Sequence, residues 1–193
     1  PEVVLSTSAF QTAYQQINTT YAAQRTTIQE RNQQRQTLLQ QLDTNNDGQL
    51  DEAEQQAASQ NAAQVQQLQT LEQEIQQLSA QVDLVRVYAV EQIMLQYGPA
   101  VQQVIQQEQI QIILGPEALS YAVPEANIGD EVVAVLNTLV PTASITPPAG
   151  WQPRRQSVAM FQEVQQALMA VAAQQQAAQQ AAQPQQPAAP TGR

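Results

Sequence analysis

The chain has 193 residues, a net charge of −10 and no Cys, His or Lys, so all seven basic residues are Arg. These absences remove thiol and imidazole chemistry, the usual zinc and copper ligands, the Schiff-base amine and the phosphate-loop lysine. No nucleophile-elbow, Gly-rich phosphate or dinucleotide motif occurs either, so the sequence reads as a binding protein and not an enzyme.

The acidic balance also disfavours nucleic acid and a bare anionic membrane as partners. No run is long and apolar enough for stable membrane insertion. Gln and Ala dominate and aromatics are only 4 %, a composition that favours long helices over a compact core.

In chain order, residues 2–6 (Glu-Val-Val-Leu-Ser) form a β-branched apolar run, a candidate strand. Ser8 can cap a helix whose apolar face runs Phe10, Tyr14, Ile17, Tyr21, Ile28, Leu38, Leu39 and Leu42, interrupted by Arg25, Arg31 and Arg35. Residues 43–54 break the helix. Leu68, Leu71, Ile75, Leu78, Val82, Val85 and Ala89 then alternate steps of three and four, a coiled-coil seam expected to pack within a hairpin. Gly98-Pro99 is expected to kink or restart that helix.

Residues 110–114 and 119–123 read as short strands around Gly115-Pro116. Asn127 caps a helix that ends before Pro141. The remainder reads as a Pro-rich linker (142–156), anchored on the body through Trp151, a short amphipathic helix (157–172), and a Gln/Ala/Pro-rich, largely disordered tail (173–193). The apolar stripe Val158, Phe161, Val164, Leu168 and Val171 opposes a Gln-rich face, which suits subunit packing better than a membrane.

The fold class is mainly α with a small β body. A helical hairpin arm over 9–109 projects from a discontinuous body of 1–8 and 110–141. Equal helix lengths place the hairpin turn at 59–61, with the 43–54 loop just short of the tip; the alternative makes the loop itself the tip, with a longer return helix.

That loop reads Asp-Thr-Asn-Asn-Asp-Gly-Gln-Leu-Asp-Glu-Ala-Glu and fits the EF-hand pattern. Asp43, Asn45 and Asp47 supply side-chain oxygens at positions 1, 3 and 5. Gly48 permits the turn, Gln49 offers its carbonyl, Asp51 acts through water, and Glu54 is the bidentate ligand at position 12. Ca2+ needs six to eight such hard oxygens. The exiting segment Gln55-Gln56-Ala57-Ala58 has almost no apolar face and no second EF-hand exists to pair with. The ion is therefore expected to be structural and loosely held.

The stretches Val3–Phe10, Ile110–Leu114, Ala118–Ala122 and Asn127–Asn137, in that order and spacing, resemble the Skp (OmpH) family of periplasmic chaperones. The resemblance implies a trimer whose three arm pairs enclose unfolded outer-membrane proteins without ATP, and a periplasmic location with the signal peptide removed. This chain departs from the familiar pattern in its acidity, its lack of Lys, its calcium loop and its tail after Pro141. Alternative readings are a calcium-binding envelope protein, acting as buffer or calcium-responsive module, and a structural coiled-coil spacer.

Overall fold

The computed structural model describes residues 1–45, 51–59, 61–115 and 118–181. Its α-helices are α1 (Glu2–Ser6), α2 (Ser8–Thr20), α3 (Ala22–Leu42), α4 (Glu52–Ser59), α5 (Ala62–Gln107), α6 (Gly129–Leu139) and α7 (Arg155–Ala181), with a short 3-10 turn at Pro124–Ala126. The expected mainly helical class is observed. Among the described residues, however, no strand forms.

The first correction is at the amino terminus, where 2–6 is a helix and not a strand. The Leu5 N–H bonds the Pro1 carbonyl at 3.0 Å, and Thr7 Oγ1 donates to the Val4 carbonyl at 2.8 Å. Val4 is buried against the core, with α6 beside it. Tertiary burial of one valine thus overrides the β preference of a Val-Val pair. Thr7, not Ser8, caps α2, accepting from the Phe10 N–H at 3.3 Å. Ser8 instead binds across the fold, its N–H and hydroxyl both donating to Asn137 Oδ1, at 2.8 and 3.0 Å.

The second correction concerns the predicted strands at 110–114 and 119–123, whose described residues have no regular structure. A strand needs a partner for its N–H and C=O groups. The segment expected to pair with them is α1, which offers no edge. Ile112 is 75 % and Tyr121 82 % exposed, and Ile113, Leu114, Leu119 and Val123 are also open.

The long helices follow their patterns. α2 and α3 together are the predicted outgoing helix, with the helical bonding carried across Tyr21 by Tyr21 N–H to Ile17 and Arg25 N–H to Tyr21, at 2.9 and 3.0 Å. α5 is 46 residues long, about 69 Å at 1.5 Å per residue. It runs through Pro99 without restarting. Proline costs a helix one N–H bond and crowds the preceding turn. No break follows here, because Ala100 and Val104 just beyond are buried and hold the helix to the core.

α5 ends in a Schellman turn. Gln109 adopts φ 54°, and the Ile110 N–H reaches back to the Ile105 carbonyl at 3.0 Å, which is the six-to-one bond of that motif.

One apolar core joins the elements, with Ile17, Ala89, Val90, Ile93 and Leu136 fully buried. The α5 seam packs on α3 as expected, burying Leu71, Val82, Val85 and Ala89. Arg31 pairs with Glu74. Following both antiparallel helices onward from that pair brings Leu42 level with the start of α5. The described residues between Leu42 and Ala62 lie at this end of the arm, where α4 touches both α3 and α5. Residues 46–50 of the loop and residue 60 of the expected 59–61 turn lie outside the described residues.

Candidate functional site

The described residues of the predicted metal loop lie at this end. Of its predicted ligands, Asp43, Asn45, Asp51 and Glu54 are among the described residues, while Asp47 and Gln49, with Gly48 and Leu50, lie outside them. Just before the loop, Leu42 is buried and Leu39 half-buried.

Glu54 is the hub. Its Oε1 accepts from the Thr44 N–H at 2.7 Å, the Thr44 hydroxyl at 2.9 Å and the Asn45 N–H at 3.0 Å. Its Oε2 accepts from the Asp51 N–H at 3.1 Å, and Asp51 Oδ1 accepts in return from the Glu54 N–H at 2.8 Å. Asp51 and Glu54 thus form a capping box at the start of α4. Glu54 is only 5 % exposed, yet few atoms surround it. The Asn45 N–H leads the donors that hold its carboxyl below the usual carboxylate range, against a smaller opposing effect of burial.

The structure therefore brings Glu54 together with the backbone of Thr44 and Asn45 and with Asp51. It shows these oxygens serving the loop's own N–H groups. Among the described residues, no group of three or more acidic side chains is gathered in metal-holding geometry.

A second buried carboxylate was not anticipated from the sequence. Glu91, at mid-α5, is 5 % exposed. It accepts from Trp151 Nε1 at 3.0 Å, the Arg154 N–H at 3.0 Å and the Ser157 hydroxyl at 2.6 Å. Burial pushes its carboxyl up, but the donors from Ser157, Arg154 and Trp151 together outweigh that and leave it below the usual range. Trp151 also stands edge-on to Tyr88, with ring centroids 4.9 Å apart. Trp151 does anchor the linker, but on Tyr88 and Glu91 of α5, within the segment 9–109 expected to be arm, and not on the expected body of 1–8 and 110–141. The available signal for its receptor was one Glu on a helical face between Val87, Val90 and Met94.

The other polar features line the base of the arm. Arg86 pairs with Asp83 at 3.1 Å and lies 6.0 Å from the centroid of the Tyr14 ring. Burial pushes the Tyr14 phenol up to about 12, against the nearby Arg86 charge. A cleft of about 350 Å³ lies between Arg25, Ile28, Val82, Arg86 and Gln165. It joins α3, α5 and α7 and carries no arrangement suited to covalent chemistry. No described helix is long and apolar enough to cross a membrane.

No curated protein and no solved structure matches the chain. The family described as outer membrane protein (OmpH-like) matches residues 1–136. That match spans α1 through most of α6 and takes in the whole hairpin, so the chain belongs to the OmpH-like family of outer membrane proteins.

Proposed function

We propose that the protein is an ATP-independent holdase that keeps unfolded outer-membrane proteins from aggregating, and that it works without catalytic chemistry. Family membership supplies the coarse assignment, a periplasmic chaperone for outer-membrane proteins. The observation that carries the finer reading is the matched hairpin itself. A helix of 46 residues braced by α3 presents a long Gln-rich surface with scattered apolar side chains. Such a surface suits many weak contacts with an extended client better than one shaped pocket.

The working unit in this reading is a trimer. Its support is the segment 110–123, which is strand-like in sequence and bears six exposed large apolar residues. Exposed apolar surface of that kind marks an interaction site. In the assembly these residues supply the small β body. Light scattering of an unfolded β-barrel protein diluted from denaturant tests the holdase reading. Suppression of aggregation at stoichiometric trimer is expected, and unaltered aggregation overturns it. Sedimentation tests the assembly, with a stable single-copy species as the contrary result.

A second reading concerns calcium. The EF-hand spacing of 43–54, together with an Asp51–Glu54 capping box at the positions where such loops start their exiting helix, favours Asp43, Asn45, Asp47, Gln49, Asp51 and Glu54 as ligands of a structural Ca2+. Calorimetric titration should show weak binding in the extracellular class, around 10⁻⁴–10⁻³ M on the order of magnitude, lost in Glu54→Gln. Submicromolar affinity would argue for a calcium-responsive module instead.

A further inference from the structure

We propose that residues 142–168 form a clasp that closes over an apolar seam at the base of the hairpin and opens as one unit, and that Glu91 is the residue that holds it shut. The clasp lies beyond the residues matched by the family and stands independently of the chaperone reading.

Three sets of contacts lie along its length. Near its start, Gln92 and Ser144 exchange two bonds, the Gln92 amide donating to the Ser144 carbonyl and accepting from its N–H, both at 2.9 Å. In the middle, Glu91 collects Trp151, Arg154 and Ser157. At its end, Val164 is fully buried in the common core, with Met160 and Leu168 against it, and Phe161 is buried beside them. The register is antiparallel to α5. Ser157 sits at Glu91, and Gln165 lines the cleft with Val82 and Asp83.

Glu91 differs from the apolar contacts in what it holds. The Arg154 N–H it accepts immediately precedes α7, and the Ser157 hydroxyl lies in that helix's first turn. A carboxylate borrowed from another helix thus caps α7, satisfying the Arg154 N–H and complementing the helix dipole. All three donors come from the clasp, so breaking the Glu91 contacts releases the linker and the start of α7 together. Beyond Leu168, α7 is exposed at every described side chain from Met169 through Gln179. Nothing in that half resists lifting. Opening uncovers the apolar face of α7 and the part of α5 and α1 beneath it.

Trypsin reads the clasp directly. The chain has no Lys, so every cut follows an Arg. Arg154 and Arg155 lie in the clasp, while Arg31 and Arg35 lie in the hairpin away from α7 and serve as an internal clock. In the full chain, Glu91→Gln keeps the side chain's size but replaces one acceptor oxygen by an amide donor. We expect cleavage after Arg154 and Arg155 to accelerate about tenfold or more, with cleavage after Arg31 and Arg35 unchanged. Fluorescence of an anilinonaphthalene sulfonate dye should rise in step as the seam is uncovered. Ser157→Ala, which removes one donor of the three, should give the same pattern at a few-fold and covers the case in which Glu91→Gln fails to fold. Unchanged cleavage at Arg154 and Arg155 in both variants overturns the proposal, and so does equal acceleration at all Arg sites, which marks global loosening.

Discussion

The arm's end and the arm's base are each organised by one nearly buried glutamate that caps a helix, but the two caps differ in reach. Glu54 sits in the first turn of the helix it caps, and its partners lie three to ten residues away. Glu91 sits at the middle of α5, and its partners lie 60, 63 and 66 residues away. A local cap organises a loop whatever the rest of the chain does. A remote cap exists only when the tertiary fold does, and so makes one part of the fold conditional on another.

The largest effect that would sharpen this contrast is at Glu91. Its replacement by Ala leaves an indole N–H, a peptide N–H and a hydroxyl without their acceptor. Unsatisfied partners of a buried charged group cost about 1 to 3 kcal/mol or more. Hydrogen exchange along α7 should quicken by about 30- to 150-fold, equivalent to about 2 to 3 kcal/mol, while amides in α3 keep their protection. Quickening that spreads evenly through α3 and α5 would erase the distinction between base and arm.

Acid separates the two caps by variant. Both carboxyls lie below the usual range when folded. The unfolded chain therefore binds protons first as pH falls, and the stability each group contributes is present above the ordinary carboxylate pKa, about 4.5, and lost as pH drops through the lower folded value. Glu54→Gln should remove the acid-sensitive part of protection in 43–59 and leave α7 alone; Glu91→Gln should do the reverse. Following both regions by hydrogen exchange between pH 6 and pH 3 checks this. Acid sensitivity at α7 that survives in Glu91→Gln would move the cause elsewhere.

The same difference in reach decided what the sequence could tell. Asp51 and Glu54 stand three residues apart and were legible as a local pair through the metal-loop spacing, although the capping box they form came from the structure. The seam from Leu68 to Ala89 was equally legible, because heptad spacing and burial are one fact seen twice. What failed was what depends on distant partners. Val3-Val4-Leu5 favours a strand by its own chemistry, yet Val4 is drawn into a helix by the core. Ile110–Leu114 favours one too, but finds no edge to pair with. The amphipathic helix expected over 157–172 was located correctly and underestimated in extent, since the Ala- and Gln-rich continuation to Ala181 is a good helix former without an apolar stripe to advertise it. The Glu91 receptor was invisible because nothing near residue 91 names Trp151 or Ser157.

At alkaline pH the base offers a smaller effect. Tyr14 is drawn up to about 12 chiefly by burial, and its hydroxyl lies 3.5 Å from the Gln165 amide of α7. A raised folded pKa means stability present below the unfolded value, near 10, and lost as pH climbs from there toward 12. Ultraviolet titration should show one phenol ionising about two units late, absent in Tyr14→Phe. If Glu91→Gln opens the clasp, the same phenol should titrate earlier, which ties the two observations to one movement.

The smallest expected effect lies where α5 meets the exposed segment, and it tests whether that junction belongs to the rigid base. Gln109 holds φ 54°, a conformation that glycine adopts without the side chain's steric cost. Gln109→Gly should therefore stabilise the protein by about 0.5 to 1 kcal/mol, read from the midpoint of urea unfolding at constant slope. A loss of stability instead would mean that the gain in unfolded-chain entropy outweighs the relief. The Schellman turn would then be held by Ile110 packing against the core, and the strand-like residues after it would be launched from a fixed point on the base.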